Sequence, residues 1–285
     1  MPGLFGLVAR LVGSEVGRAR AALAAEPAHV GGSQLDPDDD DPAWDGGWWR
    51  GAVRKPAHPG RIGGRCRPWA LVVHTTDMHP DTWTGMIRRV QAQAGRGSGA
   101  HFWLGRDASQ GLVQAVSVDR NANHAGGSSH GWMIADGKRQ HPNDVTASVE
   151  VHCAGAVIRG PGSRWYAIDR SDDVDGDGRP DARPTGAPLP DADIEPDPAR
   201  PGHGWHRPSE WQLAQLALLL EAFAACPLRV DRPAAWSVEP NGQAQPWAPS
   251  VLIGGVPVVG HVTITPSRKA DPWPPLSRWL QGRAR

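Results

Sequence analysis

The chain is poor in most of the residues that announce a function. Three cysteines, Cys66, Cys153 and Cys226, form an odd set with no C-x-x-C spacing. That argues against a disulfide framework and against a cysteine-ligated zinc site, and Cys153, next to a strand pattern, is expected to pack as a small hydrophobe. Net charge is absent too: 30 basic residues balance 30 acidic ones. Without a basic excess for nucleic acid or a polybasic patch for a membrane surface, a partner has to be recognised by a defined site. No apolar run approaches the roughly 20 residues that a bilayer span needs. Leu4-Phe5-Gly6-Leu7-Val8-Ala9 is apolar, but Arg10 cuts it short and no basic segment precedes it, so a cleaved signal peptide is not expected.

What is plentiful is glycine (35), proline (28) and tryptophan (14, against one tyrosine and three phenylalanines). The first two imply many turns and long loops around a core. Tryptophan faces can stack on sugars, although core and loop packing accounts for most of them. The 285 residues leave room for one large domain with extras or two small domains. Residues 3 to 25 place Leu4, Leu7, Val8, Leu11 and Val12 at helical spacing, which predicts an amphipathic helix in need of a docking surface, on the rest of the chain or on a partner. The acidic, proline-bearing stretch around Asp36-Pro37-Asp38-Asp39-Asp40-Asp41-Pro42 reads as a linker. We divide the chain into residues 1 to 48, helix and linker, and 49 to 285, a single folded domain.

In the second part, apolar runs alternate with helical patterns. Strands are expected at 69 to 74, 101 to 104, 112 to 116, 147 to 153 and 256 to 259. Helices are expected from Pro80 to about Gln93, from Glu210 to Ala225 with Ser209 as N-cap, and from Trp273 to Gln281. This is an α/β pattern with a central mixed β-sheet flanked by helices. Residues from about 156 to 206 break it and read as a long loop insertion. Within them Asp173, Asp175, Asp177 and Asp181 have the oxygen-ligand spacing of a calcium loop, with Gly178 at the turn and no glutamate at the twelfth position. Calcium binding and a solvated acidic loop are both open at this point.

The chemistry gathers near the C-terminal end. Val256-Pro257-Val258-Val259 leads into a loop carrying His261, Lys269 and Asp271, with Pro266 and the Asp271-Pro272 pair marking turns that can fold the loop back. A second apolar run, Trp69 to Val73, ends at His74. Two histidines and one carboxylate mounted on strand ends are the ligand set of a catalytic zinc site with one position open to water. Taken singly, each of these residues has a plainer structural reading; the combination favours the metal.

At these residues the chain resembles the zinc-dependent type 2 N-acetylmuramoyl-L-alanine amidases, whose fold is shared with the peptidoglycan recognition proteins. The resemblance rests on His74-Thr75-Thr76, Ser98 to Leu104, His124-Ala125-Gly126, Asn143-Asp144 leading to Glu150, Gly260-His261 and Arg268-Lys269-Ala270-Asp271-Pro272. It covers residue 68 to the C-terminal region. It implies zinc on His74, His261 and Asp271, catalytic roles for Glu150 and Lys269, and a substrate contact for His124. A tyrosine used in the phage-type branch has no counterpart, because Ala100 stands there. Strand alternation independently aims Glu150 at a cleft.

The activity implied is hydrolysis, by zinc-activated water, of the amide between N-acetylmuramic acid and L-alanine in peptidoglycan or muropeptides. Its rival is a non-catalytic peptidoglycan-binding receptor of the same fold, from which the intact third ligand, Asp271, distinguishes it. With no signal peptide expected, the protein would reach the cell wall by lysis, a phage tail or a secretion machine, and the N-terminal helix would meet its docking partner there.

Overall fold

The computed structural model describes residues 43–92, 99–125, 131–169, 182–243, 245, 247–266 and 271–284. The expected N-terminal helix, Lys269 and the calcium candidates Asp173, Asp175, Asp177 and Asp181 lie outside the described residues.

Seven strands make the central sheet: β1 (Val53–Arg54), β2 (Ala70–Thr75), β3 (Phe102–Leu104), β4 (Leu112–Gln114), β5 (Thr146–Val151), β6 (Ser250–Ile253) and β7 (Val256–Gly260). Their spatial order is β6-β7-β2-β5-β3-β4-β1. β7, β2, β5 and β3 are mutually parallel, whereas β6 pairs antiparallel with β7 and β4 with β3. Every residue of β2 and β5 is buried. Central parallel strands are covered on both faces, which is why Ala70-Leu71-Val72-Val73 reads as a continuous apolar run.

One face packs on helix α2 (Glu210–Ala224). A capping box starts it: Ser209 Oγ accepts from the Gln212 N–H at 3.1 Å, and Gln212 Oε1 accepts from the Ser209 N–H at 3.0 Å. The same Gln212 donates through Nε2 to the His152 carbonyl at 2.9 Å, pinning the helix to the end of β5. Leu216, Leu219, Leu220 and Phe223 then meet Leu71, Val73, Phe102, Leu104 and Val149. Helix α1 (Trp83–Ala92) packs Trp83, Met86, Ile87 and Val90 against Trp103 and Val113 on the other face. The closing helix α3 (Pro274–Gly282) adds Leu276 and Leu280 to the α2 side. No helix among the described residues is long and apolar enough to cross a membrane.

The insertion differs from its expectation as a loop. Its described residues form a five-stranded antiparallel sheet from Ala156–Arg159, Trp165–Asp169, Arg183–Leu189, Ile194–Pro196 and His203–His206. Val157, Trp165, Ala167, Leu189 and Ile194 give it a small core of its own. The strands are short and interrupted by Gly and Pro, so their period-2 pattern is only two or three residues deep, too little to recognise against turn residues. Ion pairs Arg106–Asp193 and Arg278–Glu195 tie this sheet to the main body.

The domain boundary also shifts. The pairs Trp44–Asp45 and Trp48–Trp49 form a small hairpin, Trp44 and Trp49 belong to the main core, and Trp44 Nε1 donates to the Ala222 carbonyl at 3.1 Å. The folded unit therefore includes residues 43 to 48, the last part of the stretch that reads as linker in the sequence. We predict that a chain beginning at residue 49 is less stable than one beginning at 43 by about 3–5 kcal/mol, the usual cost of deleting a buried tryptophan. Urea unfolding of the two chains measures the difference, and equal midpoints would restore the boundary at 48.

The α1-side face of the sheet carries a polar stripe, Thr146, Ser148 and Glu150, at alternate positions of β5. Ser148 pairs with His101, which is fully buried and donates through Nε2 to the Arg120 carbonyl at 2.8 Å, while its Nδ1 accepts from the Ser148 N–H at 3.1 Å. Burial pushes the His101 imidazole down to about 4. His206, buried where the insertion joins the body and facing Arg106, is pushed down to about 3. A histidine depressed in the fold stays neutral where the unfolded chain, titrating near 6.5, already binds a proton. Stability contributed this way is complete above about pH 6.5 and is lost as the pH falls toward 4. For His101 the loss should be about 3 kcal/mol. Denaturant midpoints between pH 7 and 4 should fall less steeply for His101→Gln than for the parent chain; parallel slopes would contradict the assignment.

Candidate metal centre and cleft

Parallel register assembles the site. β2 and β5 align His74 with Glu150, β5 and β3 align Glu150 with Trp103, and β7 and β2 align Gly260 with Val73. Aligned residues of parallel strands project from the same face, so His74, Glu150 and Trp103 stand side by side. His261 follows β7 directly and opens a single helical turn, His261–Ile264. The chain then returns as its turn residues suggest: the Val262 N–H donates to the Asp271 carbonyl at 2.6 Å, which sets the Asp271 side chain between the two histidines.

Asp271 Oδ2 lies 3.3 Å from His74 Nδ1 and 3.6 Å from His261 Nδ1, and accepts from the Thr75 backbone N–H at 3.4 Å. The three side chains are buried, at 2, 5 and 3 % exposure for His74, His261 and Asp271, and the two rings meet edge-on with centroids 4.4 Å apart. Burial works to raise the Asp271 carboxyl, but His261 and His74 against it more than offset this and hold it well below the usual carboxylate range. An ionised carboxylate is therefore kept in the interior, which is tolerable only beside positive charge. The donor set fits a cation. A tetrahedron with arms of about 2.1 Å has edges of about 3.4 Å, close to both carboxylate–imidazole separations. Among the described residues these three form the group of histidine, cysteine or acidic side chains able to hold a metal ion.

Glu150 stands next to this group, 8 % exposed, and borders a cleft of about 250 Å³ with Arg61, Thr76, Met86, Arg89 and Trp103. The cleft runs between α1 and the ends of β2, β5 and β3, where ligands of open α/β sheets bind. His124, for which the resemblance implies a substrate contact, sits differently. It is 2 % exposed, its Nδ1 is 3.1 Å from His74 Nε2, and its Nε2 is 2.9 Å from the Thr146 hydroxyl. Both ring nitrogens are thus engaged inside the protein, behind the metal ligand. Burial, followed by the neighbouring His74 and His101, pushes its imidazole well below the ordinary value.

Thr146 and Asn143 were not singled out from sequence. Asn143 Oδ1 accepts from the Ala125 N–H at 2.8 Å and holds the His124 segment in place. The available signal for Thr146 was its period-2 relation to Ser148 and Glu150. Cys153 behaves as expected: it is buried, and burial pushes its thiol up to about 12, outside the range in which it would react or bind metal as a thiolate.

The arrangement matches known proteins at the family level. The model of the N-acetylmuramoyl-L-alanine amidase family (Amidase_2) matches residues 64–274, a span that includes His74, His124, Glu150, His261 and Asp271. No curated protein sequence matches the chain. Among solved structures it is similar to a selenomethionine derivative of AmpD, at 17 % identity and a TM-score of 0.43, covering 85 % of this chain and 98 % of that one. It is also similar to the catalytic domain of PlyG, at 20 % identity and a TM-score of 0.24, covering 35 % and 53 %, and to PlyL, at 20 % identity and a TM-score of 0.23, covering 35 % and 55 %. With a family match over most of its length, this chain belongs to the N-acetylmuramoyl-L-alanine amidases.

Proposed function

We propose that the protein is a zinc-dependent hydrolase that cuts the amide between the lactyl group of N-acetylmuramic acid and L-alanine, separating glycan from stem peptide. The observation that carries this reading is the His74–Asp271–His261 group, with carboxylate–imidazole separations near tetrahedral edges, next to Glu150, which lines a cleft. Zinc, when bound there by the three side chains, supplies a Lewis acid that polarises the amide carbonyl and makes water nucleophilic at neutral pH.

The chain's own residues do the rest. Asp271 is ionised, so it presents a lone pair rather than a proton. Glu150, aligned with His74 across β2 and β5, has the position of a general base: its carboxylate takes the proton of the attacking water and returns it to the departing alanine nitrogen. Trp103, beside Glu150, and α1 shield that exchange from bulk water on one side. Lys269 is proposed, from its place in the Arg268 to Pro272 motif, to stabilise the negative charge developing on the carbonyl oxygen. A receptor role without catalysis would not require the third ligand, and its presence supports the enzyme. We further propose that the substrate is cell-wall peptidoglycan or its soluble muropeptides, reached by lysis, a phage tail or a secretion machine, with residues before 43 serving delivery.

Mass spectrometry of purified sacculi digested by the protein should show free stem peptides beginning with L-alanine. Cleavage within the glycan or between stem-peptide residues would overturn the assignment. Glu150→Gln should keep the fold and bound zinc while losing about 100- to 10,000-fold in turnover, the range for a general acid–base group. Parent-like turnover in that variant would place the base elsewhere.

A further inference from the structure

His74 has two ring nitrogens, and it can serve as a metal ligand toward Asp271 only if Nδ1 carries the lone pair. What decides this lies behind the ring. Thr146 Oγ1 is 2.7 Å from the Pro142 carbonyl oxygen, which can only accept, so the single hydroxyl proton goes there. Toward His124 Nε2, at 2.9 Å, the hydroxyl must then accept, and Nε2 must be the nitrogen that carries the His124 proton. His124 Nδ1 faces His74 Nε2 at 3.1 Å, close enough for one proton to lie between them. With a cation on His74 Nδ1, beside Asp271 Oδ2, that proton is on His74 Nε2 and His124 Nδ1 accepts it.

We propose that Pro142, Thr146 and His124 form a positioning relay that sets the tautomer and orientation of His74 for metal binding. Each link is directional, so with the cation bound, reversing any one of them would set two protons or two lone pairs face to face. Local structure holds the relay in place. Pro142 opens the helical turn Pro142–Val145, and Thr146 follows that turn as the first residue of β5. The threonine hydroxyl thereby reaches the carbonyl four residues back. On the other side, Asn143 from the same turn fixes the chain at Ala125, next to His124. One short segment, residues 142 to 146, therefore anchors both the hydroxyl and the imidazole. Partners that hold the second nitrogen of a ligating histidine typically change metal affinity by 10–100-fold when removed.

The proposal rests on the metal-site reading above but is tested partly without metal. In histidine-labelled, metal-free protein at neutral pH, nitrogen NMR should show His124 as the Nε2–H tautomer. The opposite tautomer in the parent protein would overturn the relay whether or not zinc binds. Thr146→Val keeps the β-branched shape and removes the hydroxyl; it should shift the His124 tautomer population and weaken zinc binding 10–100-fold in chelator competition. Thr146→Ser should restore both. Parent-like zinc affinity and an unchanged His124 tautomer in Thr146→Val would contradict the proposal. Failure of the parent protein to bind zinc would instead strike at the metal-site reading and leave the tautomer result standing.

Discussion

The site depends on one buried carboxylate. Asp271 is almost fully enclosed, and an isolated ion in that position would cost several kcal/mol in desolvation. It is held ionised because two imidazoles and a backbone N–H converge on it. The imidazoles hold the carboxylate ionised by turning N–H groups toward it, and a cation that takes the place of those protons meets the same converging atoms, so the arrangement that keeps Asp271 charged is also one that suits a metal. The loop after β7 and the ends of β2 and β5 are organised to meet that requirement. The Val262–Asp271 backbone bond brings the carboxylate back, and parallel register brings His74 and Glu150 level with each other.

The two faces of the sheet have different tasks. Against α2 the strands present Leu71, Val73, Val149 and Phe102, an unbroken apolar layer that supplies most of the burial. Toward α1 the alternate positions are Thr146, Ser148 and Glu150, with His101, His124 and His74 packed around them. Placing so many polar groups in the interior is tolerable because nearly every one has a partner of the right sense. A polar face of this kind is rigid, since a donor or acceptor left without its partner inside costs on the order of 1–3 kcal/mol. That rigidity suits a site whose ligands must keep their orientation when the ion leaves.

Much of this was legible in the residues. His74, His261 and Asp271 could be grouped because two apolar runs end at histidines and turn residues mark the return of the chain; the fold brings all three together. Ser209 announces the start of α2, and Pro80 the entry to α1. The insertion reads as a loop in sequence because its strands are short and carry Pro and Gly, so its core, Trp165, Ala167 and Leu189, has no visible period. Trp44 reads as part of a linker because a single buried aromatic amid aspartates has no local signature; its partner, the Ala222 carbonyl, is far away in the chain. The inward position of His124 was equally hidden, since the hydroxyl and ring that enclose it come from segments separated in sequence.

Anomalous diffraction at the zinc edge from crystals of the full chain tests the central claim most directly. The account predicts one strong peak bounded by His74 Nδ1, a His261 ring nitrogen and an Asp271 carboxylate oxygen, at about 2.0–2.2 Å from each. That peak should be absent from His261→Ala crystals grown alongside. Zinc located elsewhere, or a peak that survives the loss of His261, would contradict it.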